Sequence, residues 1–548
     1  MELSTYQKNI IEYFDSNPHD NMIVKALAGT GKSTLLKLLT DRTKTSDIYV
    51  AFNNSIAEEF RGKITNPKTK VSTLHSLALS IMNYNLKENE SSENRGGIGT
   101  RSTTSSGAKL DNLKIHKIVD DLIGEANGRN IEFEKRLFHK ENYVNLYNLC
   151  RLTRTDMSDE NSVKRIINDY CLFVDYSGND FPAPLTSTVL VWLENIDKRS
   201  KKEFNDYNTI DFTDMLYLTY LKLKKEEWKV PYWAYYTNIL VDEAQDLSNL
   251  QINFLKFIKR KGGRYVFVMD ENQAIYSFAG GNAQACALIP KLYAPMKEFS
   301  LPINYRCPSS HLTRVNEHFG IPILPRPNAP IGSIYTIDKK EIVKYVKAGD
   351  MIISRKNKWL TEVILDLAKN GIPVYMQDKE AVENIKNTIA RQKAESLYQL
   401  KNKLGKVIEK YNKTLSKIRS DEENSPVSDT DKMIEVTSTN SKIDNISFIL
   451  EVLKHYSSNP KNKYSTPKEF QVYVDKLLNT SSTKDCVRIC SVHKAKGLEA
   501  PNVFVLNEAK ACKDPRNSWE QNEQEKNLSY ISITRGMNNL YLVKEHNV

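Results

Sequence analysis

Two short runs in this chain carry residue types that could do chemistry together. The first is Ala26-Leu27-Ala28-Gly29-Thr30-Gly31-Lys32-Ser33-Thr34. Glycines at 29 and 31 let a loop fold back so that its backbone N–H groups face inward. With the N-terminus of a following helix, such a loop makes an anion cradle. Lys32 adds a point charge for outer phosphates, and Ser33 offers a hydroxyl to Mg²⁺. Residues 28–34 are therefore candidate nucleotide contacts, although Ala26 stands where the usual pattern has glycine and a Gly-rich turn that binds nothing has the same spacing. The second run is Ile239-Leu240-Val241-Asp242-Glu243, an apolar strand with carboxylates at its end. Asp242 is placed to hold Mg²⁺ through water, and Glu243 to orient and deprotonate an attacking water. An acidic helix start would account for the charges but not for the apolar run before them.

These runs need a frame. Apolar segments at 22–25, 48–52, 71–74, 239–241, 265–269 and 299–301 alternate with helical patterns, which predicts a parallel α/β sheet. Ligands bind such sheets beyond the carboxyl ends of the strands. Phe52, Asn53, Thr73 and His75 fall at such ends. An aromatic beside small polar groups suits stacking a base and bonding a phosphate; a core phenylalanine and a helix-capping asparagine would read the same way. Gln7, shortly before the loop, has an amide that both donates and accepts and could read adenine, but alone it reads as a surface residue of a first helix. Asp211 and Asp214 look like helix caps.

Residues 77–205 break the strand–helix rhythm. Residues 88–108, rich in Ser, Gly, Thr and Asn, predict a mobile loop, and helical patterns follow around 109–124, 131–152, 160–175 and 185–200. Arg151, Arg154, Lys164 and Arg165 suit either a solvated helix face or a nucleic-acid contact. The α/β pattern resumes at 350–354, 371–375, 487–491 and 502–506, around a Lys-rich helical stretch (392–418) and an acidic, Ser-rich one (420–430).

Composition narrows the class. A chain of 548 residues predicts two to four domains. Lys and Arg exceed Asp and Glu by 78 to 67, and the net +11 suits a polyanionic partner or a solubility charge. Seven cysteines without a CxxC pair predict reduced thiols and no structural zinc or iron–sulfur site. The start MELSTYQKNI does not read as a signal peptide, and no run of 18 apolar residues predicts a membrane span.

The ordered series now becomes specific. Ala28–Ser33 (AGTGKS), Val241–Asp246 (VDEAQD), Gln273–Phe278 (QAIYSF), Asn304-Tyr305-Arg306, His493–Glu499 (HKAKGLE) and Leu528–Gly536 (LSYISITRG) resemble the motifs of superfamily 1 DNA helicases of the UvrD/Rep family. The wording is nearest to the F-box DNA helicases and their short relatives. The resemblance spans residues 3–543 apart from the insertions. It implies two RecA-like parallel-sheet motor domains, each interrupted by a mainly helical insertion. The first would take 1–76 and 206–308, with its insertion at 77–205. The second would take 309–376 and 485–548, with a reduced insertion at 377–484.

It further implies an ATP- and Mg²⁺-dependent helicase or translocase moving 3′ to 5′ on single-stranded DNA in replication, recombination or repair. Gln7 would read adenine with Tyr305 near it, and Glu499 would hold the ribose. Gln273 would sense the γ-phosphate, and Arg306 and Arg535 would stabilise charge on the transferring phosphoryl group. Phe52, Asn53, Thr73, His75, Tyr276, Phe278 and His493 would line the strand channel or its coupling to ATP. Single-stranded DNA, single/double-strand junctions and a replication or recombination protein are the implied partners, with no membrane. The implied setting is the cytoplasm of a bacterial or virus-infected cell, or a eukaryotic nucleus. Departures stand at Thr34, Ala279 and Asn527, where the family often has arginine. The second insertion holds one glycine, Gly405, which argues against strong unaided duplex unwinding. A protein-stripping translocase and an ATP-switched DNA-binding subunit of a repair or defence complex are the alternatives. No appended nuclease domain is expected.

Overall fold

The computed structural model describes residues 3–93, 107–125, 139–170, 172–173, 184–275, 285–355, 357–377, 379–420, 443, 446–462, 464–478, 485–506 and 519–544. The chain divides into two compact units, one of Met1–Val174 and Asn179–Leu301, the other containing Pro302–Val548. Tyr305 and Arg306 therefore belong to the second unit. Among the described residues no helix is long and apolar enough to cross a membrane.

In the first unit, helix α1 (Thr5–Ser16) leads into β1 (Asn21–Ala26), α2 (Lys32–Arg42), β2 (Asp47–Ala51), α3 (Asn54–Arg61), β3 (Thr69–Thr73) and α4 (Leu74–Glu93). After the short strands β4 (Lys109–Leu110) and β5 (Thr209–Ile210) come β6 (Tyr236–Val241), β7 (Lys259–Met269) and β8 (Met296–Leu301). Six of these form one sheet in the order β3-β2-β6-β7-β1-β8, with every pair parallel. Met22, Ile23 and Val24 are buried together because helices cover both faces of a parallel sheet. The register sets Ile23 and Val241 beside the same Phe267, so β1, β6 and β7 end at one edge. Asp242 and Asp270 directly follow β6 and β7 there, and Lys32 opens α2 after the loop that follows β1.

Several local expectations are corrected. Residues 88–93, read as loop, continue helix α4. Ser and Asn there lower helix propensity but do not end a helix anchored by the buried Leu77, Ile81 and Met82. Strand β7 starts at Lys259 rather than 265, because Tyr236 on β6 pairs with Lys259 and extends the ladder. The pattern at 109–124 begins as β4, with the helix over Lys114–Glu125.

The helical insertion has its own core, which includes Ile115, Val119, Tyr147, Val163 and Leu193. Arg151 is not on a solvated face. It is fully buried, with Nη1 2.6 Å from Asp214 Oδ1 and Nη2 2.6 Å from Asp211 Oδ2. Lys114 Nζ adds a 2.8 Å contact to Asp214 Oδ2. The aspartates also bond each other's backbone N–H groups at 2.7 and 3.1 Å, so Asp211 satisfies the first N–H of the next helix while both hold the cluster. Arg151, on the helix Lys140–Thr153, thereby ties the insertion to the segment returning to the sheet.

The second unit repeats the plan. Past the short strands β9 (Ile303–Asn304) and β10 (Leu324–Pro325) come β11 (Ser333–Asp338), β12 (Met351–Ser354), β13 (Val374–Met376), β14 (Val487–Ser491), β15 (Ala500–Leu506) and β16 (Gly536–Lys544). The last six form a parallel sheet in the order β11-β16-β15-β12-β14-β13. Helices Lys379–Arg391, Leu397–Ser420 and Pro467–Leu478 interrupt it between β13 and β14.

The ion cluster makes a stability prediction. Arg151→Met keeps the apolar stem but leaves two buried carboxylates short of a cation. Urea unfolding should show a loss of about 3–5 kcal/mol, the scale for breaking a buried pair from one side. A loss under 1 kcal/mol would mean that Lys114 alone compensates both aspartates.

Candidate functional site

The loop after β1 turns on two glycines in the left-handed region, Gly29 (φ 66°) and Gly31 (φ 84°). Side chains rarely adopt that conformation. Gly31 immediately precedes α2, so the orphan N–H groups of this 11-residue helix open onto the loop. Thr30 Oγ1 donates to Leu27 O at 2.7 Å and braces the turn. Ala28 and Thr30 are buried, while Ser33 and Thr34 are exposed on the first turn of α2. Gln7 lies against this loop: a Cβ added to Gly31 would sit 3.2 Å from Gln7 Nε2. Its Oε1 accepts from Ser4 N at 3.0 Å in a capping box, so its donor end is the end toward the loop.

Facing the loop are the ends of β6 and β7. Lys32 Nζ lies 3.3 Å from Glu243 Oε1, and both side chains are largely shielded. Glu243 itself has φ 50°, a left-handed conformation that costs a residue with a Cβ about 1 kcal/mol or more. Asp242 is buried; its Oδ2 accepts from Tyr49 OH at 2.6 Å and its Oδ1 from Glu243 N at 2.9 Å. Burial first, then the neighbouring Glu243 charge, pushes the Asp242 carboxyl up to about 6, against the pull of Lys32. Burial also raises Asp270, where Lys32 again opposes.

A hydrogen-bond chain links these groups. Gln245 Nε2 donates to Glu243 Oε2 at 2.5 Å, and Asp270 N donates to Gln245 Oε1 at 3.0 Å. Gln273 Nε2 then donates to Asp270 Oδ2 at 2.5 Å. Sequence reasoning named Glu243 and Gln273 but missed Gln245, Asp270 and Tyr49. All three were visible as polar residues in or beside the apolar strands, and only the register shows what they touch.

At the carboxyl ends of β2 and β3, Asn53 Oδ1 caps α3 by accepting from Ile56 N at 2.9 Å. Thr73 Oγ1 accepts from Ser76 N at 3.2 Å at the head of α4. Phe52 is half-buried. His75 stacks on Phe212 with ring centroids 4.2 Å apart, and Phe212 is 54% exposed. Burial lowers His75 to about 4, so the stack is between neutral rings. Phe212, between the clustered Asp211 and Asp214, is a further aromatic at this edge that the spacing did not single out. Tyr276 and Phe278 lie outside the described residues.

In the second unit three of the named residues converge. Arg306 Nε donates to Glu499 Oε2 at 2.7 Å, and its Nη1 to Thr534 O at 3.3 Å. Arg535 is buried, donating to Ile531 O at 3.0 Å and Leu498 O at 3.3 Å. Tyr305 is half-buried beside them in the chain. His493, on the short helix Val492–Ala495, is lowered to about 4 by burial and by Arg355, Lys494 and Lys496.

The donors suit a hard divalent cation. They are oxygen atoms, from a Ser33 hydroxyl with no hydrogen-bond partner among the described residues and a buried Asp242 carboxylate whose charged form burial disfavours and a nearby cation would favour. No group of three or more His, Cys, Asp or Glu side chains forms a cage among the described residues. One or two protein oxygens plus substrate phosphates is the usual Mg²⁺ arrangement.

The Asp242 environment fixes a pH dependence. The unfolded carboxyl ionises near 4, the folded one near 6. The folded state binds the extra proton between those values, so stability falls as pH rises through that window and stays lower above it. Without nucleotide or divalent cation, Asp242→Asn should be more stable than the parent at pH 8 by up to about 3 kcal/mol, with the difference vanishing below pH 4. Thermal unfolding across pH measures this; a constant difference would remove Asp242 as the titrating group.

Residues 3–293, more than half of the chain, match the UvrD/REP helicase N-terminal domain. The ATP-dependent DNA helicase Rep of Buchnera aphidicola is 25% identical over 338 residues, 58% of this chain and 45% of the relative. The chain thus spans less than half of that relative's length. The ATP-dependent DNA helicase PcrA of Staphylococcus epidermidis is 20% identical, covering 95% of this chain and 81% of its own length. F-box DNA helicase protein 1 of Schizosaccharomyces pombe is 26% identical, covering 56% and 31%. With its phosphate loop, strand-end carboxylates and parallel sheets in this order, the chain belongs to the UvrD/REP helicase family.

Proposed function

We propose that this chain is an ATP-dependent DNA motor, a helicase or translocase that moves 3′ to 5′ along single-stranded DNA. One observation carries the reading most directly. Lys32, the cation of the Gly-bearing loop, is paired with Glu243, the carboxylate proposed to take a proton from water. In this reading incoming phosphates draw Lys32 away, and Glu243, still held by Gln245, acts as the base. The water oxygen bonds to the γ-phosphorus, the bond from that phosphorus to the ADP oxygen breaks, and the water proton passes to Glu243. Mg²⁺, held through Ser33 and Asp242, would neutralise phosphate charge when bound.

The Gln245–Asp270–Gln273 chain supports a role for Gln273 in reporting the state of the phosphates, because moving Glu243 disturbs every bond along it. Arg306 and Arg535 are proposed to meet charge that develops during transfer. Phe52, His75 and Phe212, at the carboxyl ends of the same sheet or stacked there, are proposed to stack bases, with Asn53 and Thr73 shaping the helix starts around them. The 3′ to 5′ direction and a place in replication, recombination or repair rest on family likeness. Junction DNA and a replication or recombination protein are proposed partners.

Lys32→Ala should abolish ATP turnover by weakening phosphate binding, and Glu243→Gln should retain ATP binding yet hydrolyse at least about a hundredfold more slowly. Filter binding and phosphate release measure the two. Near-normal turnover in Glu243→Gln would remove it as the base. Arg306→Ala and Arg535→Ala should each slow hydrolysis while sparing affinity for single-stranded DNA. Lost affinity with intact turnover per bound strand would contradict the role proposed for them.

A further inference from the structure

The opposite edge of the first sheet carries a feature that the nucleotide site does not use. Just before β6, the turn Tyr232–Ala234 presents two adjacent aromatic rings to solvent, Tyr232 at 81% and Trp233 at 44% exposure. Pro231 and Ala234 are buried on either side and anchor the turn. Lys70, on β3, places its Nζ 4.7 Å from the centre of the Trp233 ring. The Arg260 guanidinium, on β7, lies 5.3 Å from the centre of the Tyr232 ring and donates to Tyr235 O at 3.4 Å.

The feature thus runs cation, indole, phenol, cation across the amino ends of β3, β2, β6 and β7, a width of about 14 Å at the usual strand spacing. Lys68 extends it, with its Nζ 3.0 Å from Lys44 O, and Lys261 is exposed at the other side. Nearby basic residues such as Arg42, Lys63 and Lys222 each face a carboxylate. Lys44, Lys68, Lys70, Arg260 and Lys261 have no ion-pair partner among the described residues. Burial beside Trp233 also lowers Lys70, with no acid to offset it.

We propose that this edge is a second binding surface for a single-stranded polynucleotide, separate from the strand ends that carry the phosphate loop and Asp242. Unpaired bases stack on exposed rings, and phosphates draw on cations that have no internal partner. A duplex keeps its base faces stacked and offers nothing to Tyr232 and Trp233. An acidic peptide would need the cations alone, whereas here two exposed rings stand between them. The surface does not depend on hydrolysis, so it can hold a strand whatever the state of the nucleotide.

The test uses the full chain and short oligo(dT). Selectively excited tryptophan emission should be quenched on titration, and Trp233→Phe should remove most of that quenching. Tyr232→Ala with Trp233→Ala should bind one oligonucleotide fewer per chain, or bind the second at least about fivefold to a hundredfold more weakly, the value of one stacked base for the two rings removed. DNA-free ATP turnover and the thermal midpoint should stay unchanged, since both rings are exposed. Arg260→Gln, which keeps the rings, should weaken the second site and lower its salt dependence by about one phosphate contact. Unchanged stoichiometry with quenching that survives Trp233→Phe would overturn the proposal. So would poly-glutamate binding at this edge with no oligonucleotide bound there, which would assign the surface to an acidic protein segment. A chain inactive as an ATPase that still shows the Trp233-dependent site would sink the motor reading and leave this one standing.

Discussion

One lysine answers for three carboxylates. Lys32 sits where the buried Asp242, the shielded Glu243 and the buried Asp270 all feel its charge, and it makes its direct contact with Glu243. Burial raises Asp242 and Asp270, so the cluster carries more negative charge than its surroundings readily hold. A site of this kind is poised to accept a divalent cation. It also resists a bare anion unless that anion brings its own cation, which is how nucleoside triphosphates present themselves. The parallel sheet makes the arrangement possible, because its register brings the carboxyl ends of β1, β6 and β7 to one edge.

The same constraint organises the contacts around it. Tyr49 reaches Asp242 from β2, and Gln245 joins Glu243 to the backbone of Asp270. At the neighbouring strand end, His75 and Phe212 stack, and Phe212 is held by the segment that Asp211 and Asp214 bind to Arg151. The helical insertion is thus locked, through the buried Arg151 and Lys114, to the residues beside the aromatic edge. In the second unit Thr534 plays a comparable local part, with its carbonyl accepting from Arg306 and its hydroxyl from Arg535.

Much of the frame was legible because it is local. A Gly-Thr-Gly-Lys-Ser step after an apolar run, and Asp-Glu after another, mark strand ends without any tertiary information. The all-parallel sheets follow from continuous apolar strands alternating with helices. What was illegible depends on partners far along the chain. Arg151 looks like its basic neighbours until Asp211, 60 residues away, is placed against it. The continuation of α4 through 88–93 is hidden by residues that merely tolerate a helix, and Lys259 joins β7 only because Tyr236 is there to pair with. Asn53 shows the limit of pattern reading, since a capping asparagine and a phosphate-binding one have the same surroundings in sequence, and its side chain takes the cap.

The central claim is that the Lys32–Glu243 site is driven by a strand moving across the carboxyl ends of the same sheet. The most direct measurement is the rate of ATP hydrolysis as a function of single-strand length, at saturating ATP and Mg²⁺. The account predicts a low rate without DNA and a rise with length to a plateau, as a moving motor spends proportionally less time at strand ends. A rate independent of single-stranded DNA, or one that reaches its maximum once a single binding site is filled, would contradict it.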